Sequence, residues 1–241
     1  MWLIFDVDGV LIDVRESYDL ATKMTVEHFL KKFGKDDEIS LDLIRKLRQK
    51  GAFGDDFKVS EALILFAMAG DVQQFVENFP SGEGIEWVRA KFGMAIEPRS
   101  IERIFNTFYL GEYYEDRAFD FDGLWKKEKP IVRRELLEKT KDRFKLGVIT
   151  GRSALELELA GKILGFHFEN AVTRELYVKP DPKALWYLTK GEYGVYIGDT
   201  VNDELLVENY KKDYGRNFGF LMVGRDVKDV NEAIEKLLDT F

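Results

Sequence analysis

Leu3-Ile4-Phe5-Asp6-Val7-Asp8-Gly9-Val10-Leu11 decides how the rest of the chain is read. An apolar run of this length, closed by a glycine, predicts a buried central strand that breaks into a turn. Side chains two apart on extended backbone point the same way. Asp6 and Asp8 are therefore expected on one side, with Phe5 and Val7 on the other. Paired carboxylates repel, by about 4 kcal/mol for unit charges about 4 Å apart at an effective dielectric of about 20. A cation, a shared proton, or both must offset that repulsion. Taken alone, an Asp-x-Asp pair reads first as a polar strand end reaching solvent, so the later chain has to separate the two.

From about residue 127 onward the sequence alternates between strand and helix patterns. A helix is expected from about Ile131 to Arg143, then a strand over Leu146-Gly147-Val148-Ile149-Thr150 that breaks at Gly151. Ser153 with Glu156 three residues on is a capping box for a helix through about Leu164, closed by Gly165. Phe168 to Val172 reads as a short strand. In Lys179-Pro180-Asp181-Pro182, Pro180 holds Lys179 extended, and Asp181 before Pro182 is a cap and first-turn pair for a helix to Thr189. The strand Gly194 to Gly198 runs into Asp199-Thr200-Val201-Asn202-Asp203 and a helix to about Lys211. A last strand, Phe218 to Val223, precedes a helix with Val227, Val230, Ile234 and Leu237 on one face.

Strands alternating with helices indicate a parallel, doubly wound α/β sheet, and the first strand must join it because an isolated strand would leave its backbone unpaired. Between the two parts the pattern is wholly helical. Apolar residues at helical spacing run from Arg15 to Phe33, from Ser40 to Lys50 and from Ser60 to Ala69, and three further segments follow, up to Tyr114. The expected organisation is an α/β core of residues 1–13 and 127–241 with an all-helical insert over 14–126.

Composition narrows the chemistry. A net charge of −8 argues against a nucleic-acid partner, since phosphate backbones need a basic face. The absence of cysteine removes disulfides, a thiol nucleophile and thiolate metal sites. With His28 and His167 as the only histidines, a Ser-His-Asp triad or a polyhistidine zinc site has little to draw on. No apolar run approaches a membrane span and no leader precedes the first strand, so the expectation is no membrane partner and a cytoplasmic location.

In open α/β sheets, ligands sit outside the carboxyl ends of the strands. Here those ends carry Asp6 with Asp8, Thr150, Lys179, and Asp199 with Asp203. This set suits phosphoryl transfer through a covalent aspartyl phosphate. An anionic nucleophile meeting a phosphate needs positive charge in place first. Mg2+ held by Asp6, Asp199 and a backbone carbonyl would supply it, with Lys179 as a fixed point charge. Thr150 and the backbone N–H groups of Gly151 and Arg152 would bind phosphoryl oxygens. Asp8 would protonate the leaving alcohol and then deprotonate the attacking water.

Asp6-Val7-Asp8-Gly9-Val10-Leu11, Thr150-Gly151-Arg152, Lys179-Pro180 and Gly198-Asp199-Thr200-Val201-Asn202-Asp203 resemble, in order, the four motifs of the haloacid dehalogenase (HAD) superfamily. The helical insert after the first motif resembles that family's α-helical cap of the C1 type. The resemblance implies a Rossmann-like, Mg2+-dependent phosphatase with Asp6 as nucleophile, Asp8 as acid and base, and Asp199 as metal ligand. Asp203 would support the metal from behind or bind it directly, and Asp8 lies within the same candidate metal cluster. Asp8 argues against dehalogenation, because a halide leaves without a proton. A phosphomutase, a phosphonatase using Lys23 or Lys50 as a Schiff base, and a non-catalytic phosphometabolite-binding module remain alternatives. Substrate choice would rest on the insert, with Arg15, Tyr18 and Lys50 as candidates to touch a small phosphorylated metabolite. The aromatic content of the insert leaves room for a homodimer.

Overall fold

The opening apolar run forms the middle strand of a sheet. In a computed structural model that describes residues 1–94 and 96–240, the strands are β1 (Trp2–Phe5), β2 (Ile12–Asp13), β3 (Lys129–Pro130), β4 (Lys145–Ile149), β5 (Ala171–Val172), β6 (Gly194–Gly198) and β7 (Gly219–Met222). Five of them make one parallel sheet in the order β5-β4-β1-β6-β7. β1 is thus flanked by two long buried strands, with Phe5 level with Val148 on one side and Ile197 on the other. Every pairing in this sheet is parallel, so β1, β4, β5 and β6 end along the same edge.

The chain divides into two units, Met1–Val14 with Glu128–Phe241, and Arg15–Lys127. Each seam lies one residue later than the expected boundaries at 13/14 and 126/127. Val14 packs against the core cluster that contains Leu11 and Ile12, and Lys127 closes a 3-10 turn over Leu124–Lys127. The second unit carries helices α1 (Arg15–Lys32), α2 (Leu41–Lys50), α3 (Asp56–Ala69), α4 (Val72–Glu77), α5 (Ile85–Phe92) and α6 (Pro98–Leu110). Ser40, Asp55 and Asp71 each accept a backbone N–H of the first turn of α2, α3 and α4, which fixes where these short helices begin. Short helices are held by packing rather than propensity. Phe66 of α3, packed on Phe75, Phe79 and Phe92, supplies much of that.

The first unit continues with α7 (Arg134–Thr140), α8 (Ala154–Leu164), α9 (Lys183–Thr189), α10 (Val201–Tyr214) and α11 (Val230–Thr240). β1 shows why helices cover both faces. Leu3 and Phe5 pack with Leu136, Leu137, Ala160, Leu164, Ile234 and Leu237 from α7, α8 and α11. Trp2 and Ile4 pack with Ala184, Leu185, Leu206 and Tyr210 from α9 and α10. Alternate residues of one strand thus feed two cores, which is the doubly wound α/β arrangement the sequence predicts. Burying each such side chain contributes about 1.5–3 kcal/mol.

α7 is shorter than the expected Ile131–Arg143. The backbone N–H groups of Ile131 and Val132 both donate to Leu11 O, extending the antiparallel pairing of β2 with β3 and keeping these residues out of the helix. α10 runs three residues past Lys211 and closes at Gly215, whose φ of +61° suits a left-handed cap.

Candidate active site

The site is assembled where β1 and β6 stop. Asp6 N–H donates to Ile197 O at 2.9 Å, the last rung before the chain turns. Val7 N–H donates to Asp6 Oδ1 at 2.8 Å, which fixes the carboxylate against its own backbone. The chain then closes a tight loop in which Leu11 N–H and Ile12 N–H both donate to Val7 O and Gly9 N–H donates to Ile12 O. Gly9 is required here. Its φ is +75°, and a β-carbon would lie 2.2 Å from Asp199 Oδ2.

Across the edge, Thr200 caps α10 in a capping box with Asp203. Asp203 Oδ2 accepts from Thr200 N–H at 3.0 Å, Thr200 Oγ1 at 2.7 Å and Asp199 N–H at 3.3 Å. Its Oδ1 accepts from Lys179 Nζ at 2.7 Å and from the Tyr196 hydroxyl at 2.9 Å. Asp203 is fully buried. Burial alone would push its carboxyl up, but Lys179 and the hydrogen bonds from Lys179, Thr200 and Tyr196 outweigh it and hold the group below its ordinary value.

Lys179 arrives from the loop before α9, whose Lys179–Pro180 peptide bond is cis. Its ammonium bridges Asp203 and Asp6, with Nζ 2.8 Å from Asp6 Oδ2. Burial works against this charge, yet the two carboxylates more than compensate and hold it above its ordinary value, a permanent cation. Asp6 itself is pushed up to about 7. Burial is the main cause, Lys179 opposes it, and Asp203 and Asp8 add repulsion. Asp199 is pushed up to about 6 by burial and by Asp203.

Asp6, Asp199 and Asp203 bring carboxylate oxygens within 4.8 Å of one another. One more observation tests whether they fit a metal. Asp199 Oδ1 is buried and accepts no hydrogen bond among the described residues. An unsatisfied buried acceptor costs about 1–3 kcal/mol, and here it adjoins Asp6, whose carboxyl is held above its ordinary value mainly by burial, with added repulsion from Asp203 and Asp8. An all-oxygen donor set with surplus negative charge fits a hard divalent cation. Asp6 and Asp199 are the fitting ligands. Asp203 has both oxygens occupied by donors, so it fits the role of anchoring Lys179 and the α10 turn rather than that of direct ligand.

Two further residues depart from expectation. The Asp8 side chain lies outside the metal cluster, because Oδ1 is 2.7 Å from both Nε and Nη2 of Arg152. The loop at Gly9 follows the strand immediately, so the period-2 rule that pairs Asp6 with Asp8 no longer holds. Arg152, expected to bind substrate, is fully buried and its guanidinium faces inward, reaching Glu128 Oε2 and Glu156 O as well as Asp8. Thr150 is buried, its Oγ1 accepting from Arg152 N–H at 3.1 Å, while Gly151 is exposed. In the helical unit, Arg15 is exposed at the start of α1, and Tyr18 stacks on Tyr109 with centroids 4.7 Å apart. Lys50 donates to Val76 O and Glu77 O at the end of α4, which occupies the ammonium expected to meet substrate. Tyr196 and Glu128 escape a sequence reading: one sits mid-strand and the other in a run of alternating charges, with nothing local to mark them.

No family model and no curated protein matches the sequence. Among solved structures, the chain is similar over the whole of both chains to phosphatase Tt82 from Thermococcus thioreducens, at 67% identity and a TM-score of 0.93. It also shares its fold with a HAD-superfamily hydrolase, subfamily IA, variant 1, from Geobacter sulfurreducens, at 17% identity, 99% and 94% coverage and a TM-score of 0.56. A predicted phosphoglycolate phosphatase from Haemophilus somnus matches at 15% identity, 100% and 97% coverage and a TM-score of 0.60. With the four motifs converging at one sheet edge and a full-length phosphatase at this level of identity, the chain belongs to the haloacid dehalogenase superfamily of hydrolases, among its phosphatases.

Proposed function

We propose that the protein is a Mg2+-dependent phosphatase that hydrolyses a small phosphorylated metabolite through an aspartyl phosphate on Asp6. The observation that carries this is the orphaned, buried Asp199 Oδ1 beside an Asp6 carboxylate fixed by Val7 N–H and Lys179. A bound Mg2+ would neutralise charge between the carboxylates and the incoming phosphate and leave Asp6 ionised. Asp6 then attacks phosphorus and the bond from phosphorus to the alcohol oxygen breaks. Asp8 gives its proton to that oxygen. In the second half, water loses a proton to Asp8 and attacks the phosphorus of the acyl phosphate, which releases inorganic phosphate and returns Asp6 as a carboxylate. Lys179, a permanent cation, keeps the Asp6 oxygens oriented and opposes the charge on the phosphoryl group. With the Arg152 and Ser153 N–H groups given to Thr150 Oγ1 and Glu156, the Thr150 hydroxyl and the Gly151 N–H are the remaining donors for phosphoryl oxygens.

The helical unit enters the chain directly after the Asp6-to-Asp8 loop, between β2 and β3, which supports reading it as a C1-type cap that selects substrate. Its occupied lysines weaken the phosphonatase alternative. A Schiff base needs a neutral amine, whereas Lys23 donates to Glu27, Glu38 and Ile39 O and Lys50 to two carbonyls. Burial works to lower Lys23, yet its hydrogen bonds to the two glutamates hold it above the ordinary value. Among the described residues no helix is long and apolar enough to cross a membrane. The test is release of phosphate from p-nitrophenyl phosphate and a panel of sugar and carboxylic-acid phosphates, with Mg2+ and with chelator. Turnover with Mg2+ that chelator abolishes is expected. Transfer of phosphate between positions of one sugar without release would instead identify a mutase, and no turnover with metal bound would identify a binding module.

A further inference from the structure

Asp8 is held by a second cation that the reaction scheme does not use. Arg152 is wholly buried, and its guanidinium places Nε and Nη2 on the same Asp8 oxygen, Oδ1, at 2.7 Å. The rest of the fork is pinned. Nη2 donates to Glu128 Oε2 at 2.8 Å, on a side chain that is itself fully buried, and Nη1 donates to Glu156 O at 3.2 Å. Burying a guanidinium with two carboxylates is costly unless the geometry is well formed, and apolar replacements of such groups often leave stability unchanged or higher. The arrangement therefore calls for an account beyond stability.

We infer that Arg152, locked by Glu128, is a positioning residue for proton transfer by Asp8. This rests on the reading of Asp8 as the acid and base. Committing Oδ1 to the planar fork leaves Oδ2, to which no hydrogen bond among the described residues is directed, as the oxygen that exchanges a proton with the leaving alcohol and the attacking water. Arg152 also draws the Asp8 side chain away from the carboxylates that converge on the metal position, so Asp8 keeps its proton-transfer role instead of becoming one more ligand. Glu128 is the residue at which the chain re-enters the α/β unit, so the relay ties the acid to the seam of the fold.

The test compares two aryl esters that differ in their need for an acid. p-Nitrophenyl phosphate leaves as a stabilised phenolate, whereas phenyl phosphate benefits from protonation. The ratio of their kcat/KM values reports the first, phosphoryl-transfer step alone. Arg152→Met should lower kcat/KM for phenyl phosphate about tenfold or more beyond any loss with the nitrophenyl ester. Mg2+ affinity should stay within about twofold, since no metal ligand is touched. Asp8→Asn should shift the ratio in the same direction, and adding Arg152→Met to it should shift the ratio no further. Where Arg152→Met does not fold, Arg152→Gln/Glu128→Gln, which removes the buried ion pair as a unit, is read in its place. An unchanged ratio in the Arg152 variants while Asp8→Asn shifts it would overturn the inference alone, leaving Arg152 a structural residue. An unchanged ratio in Asp8→Asn would overturn the acid–base reading and this inference with it.

Discussion

Gly9 meets Asp199 so closely that the two positions behave as one. A β-carbon at Gly9 would sit 2.2 Å from Asp199 Oδ2, on a backbone with φ of +75°. Gly9→Ala is expected to lose about 1–2 kcal/mol from the left-handed conformation alone. Because the carboxylate must also move, Mg2+ affinity should fall about tenfold or more. Chemical denaturation and a metal titration read the two effects separately. Asp6 and Asp199 were legible in the sequence because each follows a strand pattern immediately, and parallel strands bring such positions to one edge, whereas the strand end expected at Lys179 is instead the loop between β5 and α9. The partnership of Asp8 with Arg152 was not. It joins side chains 144 residues apart, and whether an arginine faces solvent or lies buried depends on packing that spacing does not encode. The double occupation of Asp203 was hidden for the same reason, since Tyr196 contributes from mid-strand.

At the scale of elements, the start of α10 does most to shape the site. Thr200 Oγ1 both accepts from Asp203 N–H and donates to Asp203 Oδ2. Thr200→Ala should therefore cost about 1 kcal/mol of stability, as loss of an N-cap does. It should also reduce turnover, because Asp203 loses a donor while still holding Lys179. Urea denaturation with steady-state kinetics checks both. A stability change without any loss of turnover would show that the cap serves the helix only. Capping signals of this kind are local, which is why α8 begins where the Ser153 capping box predicts. The ribbon of β2 with β3 has two residues on each side and no periodicity to read. It takes Ile131 and Val132 away from α7 through Leu11 O, a contact set by the return of the chain rather than by helix propensity.

For the molecule as a whole, acid groups held above their ordinary range link metal, protons and stability. Asp6 at about 7 and Asp199 at about 6 bind protons in the folded state that the unfolded chain, at about 3.8, has released. Their contribution to stability is fully present below about pH 4 and is lost as pH rises through about 6 to 7. A divalent cation competes for the same oxygens. Mg2+ binding should therefore release protons below pH 7, and its apparent affinity should rise from pH 6 to pH 8 and then level off, as isothermal titration in buffers of different ionisation enthalpy would show. An affinity that is flat across this range would place the metal away from Asp6 and Asp199. Saturating Mg2+ should raise the melting temperature most at pH 8, where the metal-free carboxylates repel without protons. The most direct test of the account is the fate of the phosphoryl group. Asp8→Asn protein, mixed with p-nitrophenyl phosphate and Mg2+, is quenched in acid, digested and analysed by mass spectrometry. The account predicts one phosphoryl group on the N-terminal peptide at Asp6, because the leaving group needs no acid while hydrolysis of the acyl phosphate needs the missing base. Nitrophenol released with no phosphoryl group on that peptide, or with the group on another residue, would contradict it.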